Sequence, residues 1–198
     1  MAGQVNNSTT TLRIMHCLRA PLGGLFRHVC DLIRGQKELG HSVGVICDIR
    51  TGDALAGQLL ASFEEICDLG VHRLTIGRRV GPRDLFTFRQ IGSICEEQSP
   101  DILHGHGAKG GAFARLLAGT HGAASVYTPH GGSLHYSPKT PEGLFYIAIE
   151  RALRSRTNGI IFESEYAHRC YTDKVGTLQV PSRLIVNGLR DDEFSELG

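Results

Sequence analysis

The 198 residues carry no excess of either charge: 21 Lys and Arg face 20 Asp and Glu, for a formal net charge of +1. A nucleic-acid binder that works through a strong global basic field is thereby excluded, and only local basic patches stay open. No Cys-x-x-Cys pair occurs among Cys17, Cys30, Cys47, Cys67, Cys95 and Cys170, which lie far apart and mostly inside apolar runs. That spacing fits neither a zinc ribbon nor a disulfide framework, and a thiol in an apolar run behaves as a small core hydrophobe. No apolar leader opens the sequence, and residues 1–11 read as a flexible polar tail. The longest stretch free of Asp, Glu, Lys and Arg, Leu116 to Pro138, holds four Gly, two Pro and three His, which unfits it to span a bilayer. Together these absences describe a reduced, cytoplasmic protein.

Glycine is what the chain has in plenty, with 25 residues in 198 against about 7% in average proteins. The glycines follow short apolar runs, which marks backbone turns. Strands are expected at Leu12 to Leu18, Ser42 to Cys47, Val71 to Ile76, Asp101 to His104, Ser125 to Thr128, Gly159 to Phe162 and Arg183 to Val186. Between them fall helical patterns. Leu25, Val29, Leu32 and Leu39 share one face, with Ile33 on its flank. Further helices cover Ala54 to Leu69, Pro82 to Pro100, Gly110 to Ala118 and Pro141 to about Arg156, and Ser164 caps a last one through Tyr171. Regular alternation with short connections predicts an α/β fold, a doubly wound parallel sheet, over residues 12–184. Such sheets bind ligands beyond the carboxyl ends of their strands, so function is sought in the strand-to-helix loops.

Three loops carry candidate chemistry. In the first, Gly23 and Gly24 lie between a strand and a helix, where bare backbone and helical N–H groups suit a phosphate; a plain tight turn is the alternative. Arg27 sits in the first helical turn, where a cation opposes the macrodipole. The dinucleotide fingerprint Gly-x-Gly-x-x-Gly is absent, which disfavours an NAD protein. The second loop runs His104-Gly-His106-Gly-Ala-Lys109-Gly-Gly111. Its histidines read either as metal ligands or as a structural His104 beside a cleft-facing His106. Lys109 reads as a neighbour of a second anion site or as a solvated side chain. In the third, Thr128-Pro-His130-Gly131-Gly132, a strand again runs into a histidine and two glycines. A neutral imidazole at that edge can bond a sugar hydroxyl or take a proton. Glu142 and Glu150 read as two polar positions on an amphipathic helix. Arg151, Arg154 and Arg156 read as a charged helix end, with contact to anionic lipid as the sharper option.

These pieces in this order resemble the N-terminal domain of family 4 glycosyltransferases, retaining enzymes of the GT-B fold that use nucleotide-sugars. The resemblance rests on Gly23-Gly-Leu-Phe-Arg-His-Val29, Leu39-Gly-His-Ser-Val43, Pro100-Asp-Ile-Leu-His-Gly-His106, Thr128-Pro-His-Gly131, Ile160-Ile-Phe-Glu-Ser164 and Ile185-Val-Asn-Gly188. It implies that Gly23 and Gly24 approach the donor diphosphate, with Arg27 added from its position in the helix. It implies that His130 contacts the transferred hexose as the catalytic residue. His106, Lys109, Gly131 and Gly132 would border an acceptor, a glycan or lipid-linked molecule of envelope or exopolysaccharide synthesis. No cofactor and no metal are implied, and the expected location is cytoplasmic or peripheral at the inner membrane face. Residues 185–198 would begin an interdomain hinge. The second, donor-binding domain would lie outside this sequence and be needed in cis or in trans for turnover. The Glu142-x7-Glu150 spacing copies a motif of that second domain at the wrong place and is read as coincidence. Other readings are a non-catalytic sugar- or phosphate-binding module, a metal hydrolase using His104, His106 and His130, and a GT-B sugar-nucleotide epimerase.

Overall fold

A computed structural model describes residues 10–188. Most of the expected 1–11 tail and the later part of the 185–198 hinge lie outside the described residues. Seven strands are present: β1 (Arg13–Leu18), β2 (Ser42–Asp48), β3 (Val71–Leu74), β4 (Ile102–His106), β5 (Ala124–Thr128), β6 (Gly159–Phe162) and β7 (Ser182–Leu184). They pair in the order β3-β2-β1-β4-β5-β6-β7, every pair parallel. The connecting helices are α1 (Gly23–Glu38), α2 (Ala54–Phe63), α3 (Arg83–Gln98), α4 (Gly107–Leu117), α5 (Pro141–Leu153) and α6 (Glu165–Lys174). This is the expected doubly wound α/β sheet. Among the described residues no helix is long and apolar enough to cross a membrane.

Alternate residues of β1 feed two separate cores, as the period of a strand requires. Met15 and Cys17 pack with α3 and α4 through Ile91, Cys95, Phe113 and Leu117. Ile14 and Leu18 pack with α1 and α2 through Phe26, Val29, Ile33, Leu60 and Phe63. The buried face of α1 takes Val29 and Ile33 from the expected set and adds Phe26 and Cys30, while Leu25 and Leu32 are half-buried and Leu39 lies exposed past the helix end. Five of the six cysteines are buried and all six are free thiols.

The main departure from expectation concerns the second loop, which does not exist. Strand β4 continues through His106 and α4 begins at the next residue, Gly107, whose φ is +64°. Glycines make this junction possible by removing the side chains that would hold helix and sheet apart. A Cβ on Gly105 would stand 2.5 Å from Gly111 Cα, one on Gly110 would stand 2.0 Å from the Cys17 carbonyl oxygen, and one on Gly111 would stand 2.2 Å from the Tyr127 ring. Gly110 and Gly111 are therefore packing glycines and do not form part of an anion loop.

Helix α5 also differs from its reading as simply amphipathic. Glu142 is exposed, but Glu150 is buried and accepts hydrogen bonds from Arg115 Nη1 at 2.8 Å and Tyr127 Oη at 2.9 Å. The Arg115 guanidinium lies 3.9 Å from the centroid of the Tyr127 ring. The arginines beyond are engaged as well. Arg151 donates to the carbonyl of Lys174 at 2.7 Å and Arg154 to that of Thr177, so they complement the end of α6 rather than their own helix.

Substituting Gly110→Ala should cost on the order of 3 kcal/mol, because the clash is with backbone that cannot swing away. Gly35→Ala, at a helical position where an added Cβ meets nothing within 4 Å, should instead stabilise by about 0.5–1 kcal/mol. Urea unfolding of the two variants beside the parent checks both signs.

Candidate active site

In an open parallel sheet the crevice forms where the winding direction reverses, here between the carboxyl ends of β1 and β4. A cleft of about 400 Å³ lies there. Arg19 and Leu22 line it from beyond β1, and His106, Gly107 and Lys109 from the β4–α4 junction. His130 and Gly132 come from beyond β5, and Tyr136, Tyr146 and Arg78 close its outer side. The convergence expected of His106, Lys109, His130 and Gly132 is thus present. Gly131 instead faces a neighbouring cavity of about 160 Å³ with His135 and Glu163.

Gly23 and Arg27 depart from expectation. They line a separate groove of about 460 Å³ between α1 and α2, with Arg34 and Asp53. Arg27 also lies 3.9 Å from Asp31, its neighbour one turn along α1. The opposite side of the same helix reaches the cleft: a Cβ on Gly107 would meet Leu25 at 3.3 Å, and the His28 ring centroid is 5.1 Å from that of His130. Gly23 and Gly24 are the first two residues of α1 rather than a loop before it. Gly23 has φ of +62° and needs glycine for that reason. Gly24 has no such need, and a Cβ there would meet nothing within 4 Å.

Helix starts distinguish the crevice from the rest of the molecule. The N-termini of α2, α5 and α6 are capped by the side chains of Asp53, Thr140 and Ser164, and α3, without a side-chain cap, carries the acidic Asp84 in its first turn. Helices α1 and α4, the two that follow the switch-point strands, have neither a side-chain cap nor an acidic residue in the first turn. Their leading N–H groups keep the partial positive charge that attracts anions. Lys109, in the first turn of α4, is no solvated side chain: it is 9% exposed and bonds Asp84 Oδ2 at 2.5 Å. Its charge is largely spent on holding α3 to α4.

Five histidines meet behind the cleft. His16 on β1 lies directly across from His104 on β4, and Leu18 from His106, so the three imidazoles share one face of the sheet. His16 Nδ1 is 3.0 Å from His106 Nε2, and His106 Nδ1 is 3.2 Å from His130 Nε2. His104 Nε2 instead bonds Thr128 Oγ1 at 2.9 Å. His130 is one of two non-glycine residues with positive φ among the described residues, at +48°, and Gly131 follows at +73°. Two successive left-handed residues turn the chain off β5 and bring the ring against His106, a strained geometry of the kind that clusters at functional sites.

The metal hydrolase needs His104, His106 and His130 together, and this trio does not form. Nitrogens within 4.8 Å of one another belong to His16, His104 and His106 and, separately, to His28, His106 and His130. Reasoning from the sequence missed His16 and His28, although His16 interrupts an apolar strand. It also missed Asp84 and Tyr146, whose roles arise from tertiary placement alone.

Burial keeps this cluster neutral. It lowers the pKa of His16 to about 4 against the raising effect of its bond to Gln36, and that of His130 to about 4 with help from His28. His104 and His106 are held well below the usual value by burial and then by the neighbouring imidazoles. His28 is lowered by burial against Asp31 and Asn187, which raise it.

A doubly wound parallel sheet with its crevice at the β1–β4 switch point is a Rossmann-like α/β domain, the fold expected of the N-terminal half of a GT-B enzyme. Sequence comparison agrees: residues 22–193 match the profile of Glycosyltransferase Family 4, and the chain belongs to that family. EpsD of Bacillus subtilis (strain 168), a glycosyltransferase by assignment, is 33% identical over 89 residues, 42% of this chain and 23% of EpsD. Two solved structures show the same fold. A glycosyltransferase from Rickettsia africae ESF-5 aligns with a TM-score of 0.68 at 18% identity over 94% of this chain and 45% of its own. Anabaena HepE in complex with UDP and glucose aligns with a TM-score of 0.66 at 16% identity over 90% and 45%. The chain spans about half the length of these structures.

Each buried histidine takes up a proton more readily when unfolded, so its stabilising contribution is complete above pH 6.5 and lost as pH falls toward 4. His16 alone should remove about 2 kcal/mol between pH 7 and pH 5, at 1.36 kcal/mol per pH unit below 6.5. Denaturant midpoints at the two pH values test this, and His16→Asn should flatten the dependence.

Proposed function

We propose that this domain is the acceptor-side half of a retaining glycosyltransferase, which moves a hexose from a nucleotide-sugar to a glycan or lipid-linked acceptor. The observation that carries the reading is a neutral His130 held at the switch-point cleft of a family 4 chain. HepE, similar in fold, was solved with UDP and with UDP-glucose, which supports a nucleotide-sugar donor. The donor diphosphate would approach the uncapped start of α1, where Gly24 leaves room for it and is not needed for packing.

His130 would contact the hexose at the reacting carbon. Because its imidazole is uncharged at neutral pH, it would act by hydrogen bonding and positioning and would not donate a proton to the leaving diphosphate. Departure of that diphosphate would be assisted by the helix N–H groups and by the second domain. The acceptor would fill the outer cleft, where Tyr136 and Tyr146 stack at 4.6 Å and Arg19 and Arg78 add positive charge. The chemistry asks for no metal or cofactor. The work would take place in the cytoplasm or at the inner face of a membrane, in the synthesis of an envelope or exopolysaccharide.

With a GT-B donor half supplied in cis or in trans, His130→Ala should lower transfer from a UDP-sugar by about 10²–10³-fold while the fold survives. A sugar-binding module would lose affinity only and show no turnover before or after the change. Gly24→Leu should leave unfolding within about 0.5 kcal/mol of the parent, as surface changes do, and weaken donor binding at least tenfold by calorimetry. Unchanged donor affinity would remove Gly24 from the site.

A further inference from the structure

A continuous line of hydrogen bonds links the outer helix layer to the cleft. It starts at Gln36 on α1, whose Oε1 lies 2.8 Å from His16 Nε2, and proceeds through His16 Nδ1 to His106 Nε2 and from His106 Nδ1 to His130 Nε2. A neutral imidazole has one N–H and one lone pair, so fixing a single proton fixes the whole line. The carbonyl oxygen of Gln36 only accepts. His16 therefore carries its proton on Nε2 and offers a lone pair at Nδ1. His106 must donate to that lone pair from Nε2, which leaves its Nδ1 to accept from His130 Nε2–H.

We propose that Gln36 is a positioning residue which, through His16 and His106, holds His130 as the Nε2–H tautomer, so that the cleft imidazole meets its ligand as an acceptor at Nδ1. This rests on the reading of His130 as the group that touches the sugar. A lone pair there accepts from a hydroxyl and repels an anionic phosphate oxygen, which has no proton to give. The site thereby separates its two substrate chemistries: a sugar hydroxyl at His130, the diphosphate at uncapped helix N–H groups. If the Gln36 amide turned its NH₂ toward His16, all three rings would reverse and His130 would become a donor at Nδ1.

The surroundings keep the line neutral. His28 approaches His130 and His106 from α1 with ring centroids at 5.1 and 6.0 Å, and His104 lies 4.1 Å from His106 on β4. Thr128 bonds His104 from β5, and the Asp31 carboxylate raises the pKa of His28. The partners that form the line at His16, His106 and His130 are an amide and imidazoles, with no carboxylate among them.

The ¹⁵N-histidine spectrum of the 198-residue chain at pH 7.5 reads each tautomer directly, from which ring nitrogen carries the proton. His16, His106 and His130 should all show Nε2–H. Gln36→Leu, and Gln36→Met as a second variant that keeps the stem length, should lose that pattern at all three rings, whereas Gln36→Glu, still an acceptor, should keep His16 protonated on Nε2. An Nδ1–H signature at His130 in the parent, or an unchanged pattern in both Leu and Met variants, overturns the proposal. Failure of the transferase reading is a separate result, seen as absent turnover with the tautomers intact.

Discussion

The contact on which the site depends is the one between helix α4 and the sheet. Gly105, Gly110 and Gly111 strip away the side chains that would hold the helix off, and α4 comes to rest with Gly110 against the backbone of β1 and Gly111 against the Tyr127 ring. Because the approach is so close, strand β4 passes into helix without a loop, and His106 is both the last strand residue and the residue before the helix. A conventional loop would place His106 on mobile chain. Here its ring is fixed by the sheet register and its neighbours are fixed with it. The same junction sets the uncapped start of α4 against the cleft, where its dipole is not dissipated on a side-chain oxygen.

Burying His16, His104 and His106 and half-burying His28 and His130 carries a cost, since each gives up hydration and its easy access to charge. The molecule meets it by letting the rings serve one another and a few neutral partners, Gln36 and Thr128. A carboxylate in either place would draw charge onto the cluster and make it titrate near neutrality. Uncharged partners leave hydrogen bonds with direction but without net charge, which suits a group meant to orient a sugar. The left-handed conformation of His130 belongs to the same economy of space: the chain must reverse sharply at β5 for the ring to reach His106.

Much of this architecture was legible in the chain itself, for a physical reason. Short apolar runs alternating with helical periods and ended by glycine specify parallel strands and crossovers, and that topology places the crevice before any side chain is located. His106 and His130 could be found because each stands at a strand end in an otherwise apolar and glycine-rich segment. The glycines were harder. Sequence alone does not separate Gly24, which packs against nothing, from Gly110, which packs against the Cys17 carbonyl; only the identity of the atoms opposite does so. Glu150 was misread for a related reason. A carboxylate on an amphipathic helix is ordinarily solvated, and its partners Arg115 and Tyr127 lie on two other elements. Gln36 and His16 are twenty residues apart, and nothing local marks them as a pair.

The buried Glu150–Arg115–Tyr127 cluster has a place in the same logic. A buried ion pair is rarely the most stabilising way to fill a core, and apolar residues of equal volume would often serve as well or better. What it offers is direction. Glu150 comes from α5, Arg115 from α4 and Tyr127 from β5, and their bonds are satisfied only when all three elements hold one relative placement. Apolar packing tolerates a small slide of a helix along the sheet; this cluster does not. Glu150 also lines the cleft, and α5 carries Tyr146 and Ile149 on its wall. The glycines fix how near α4 lies to the sheet, and the ion pair fixes how α5 is aligned to both. Two kinds of interaction, one steric and one electrostatic, thus fix α4 and α5 against the face of the sheet opposite the one that carries His16, His104 and His106.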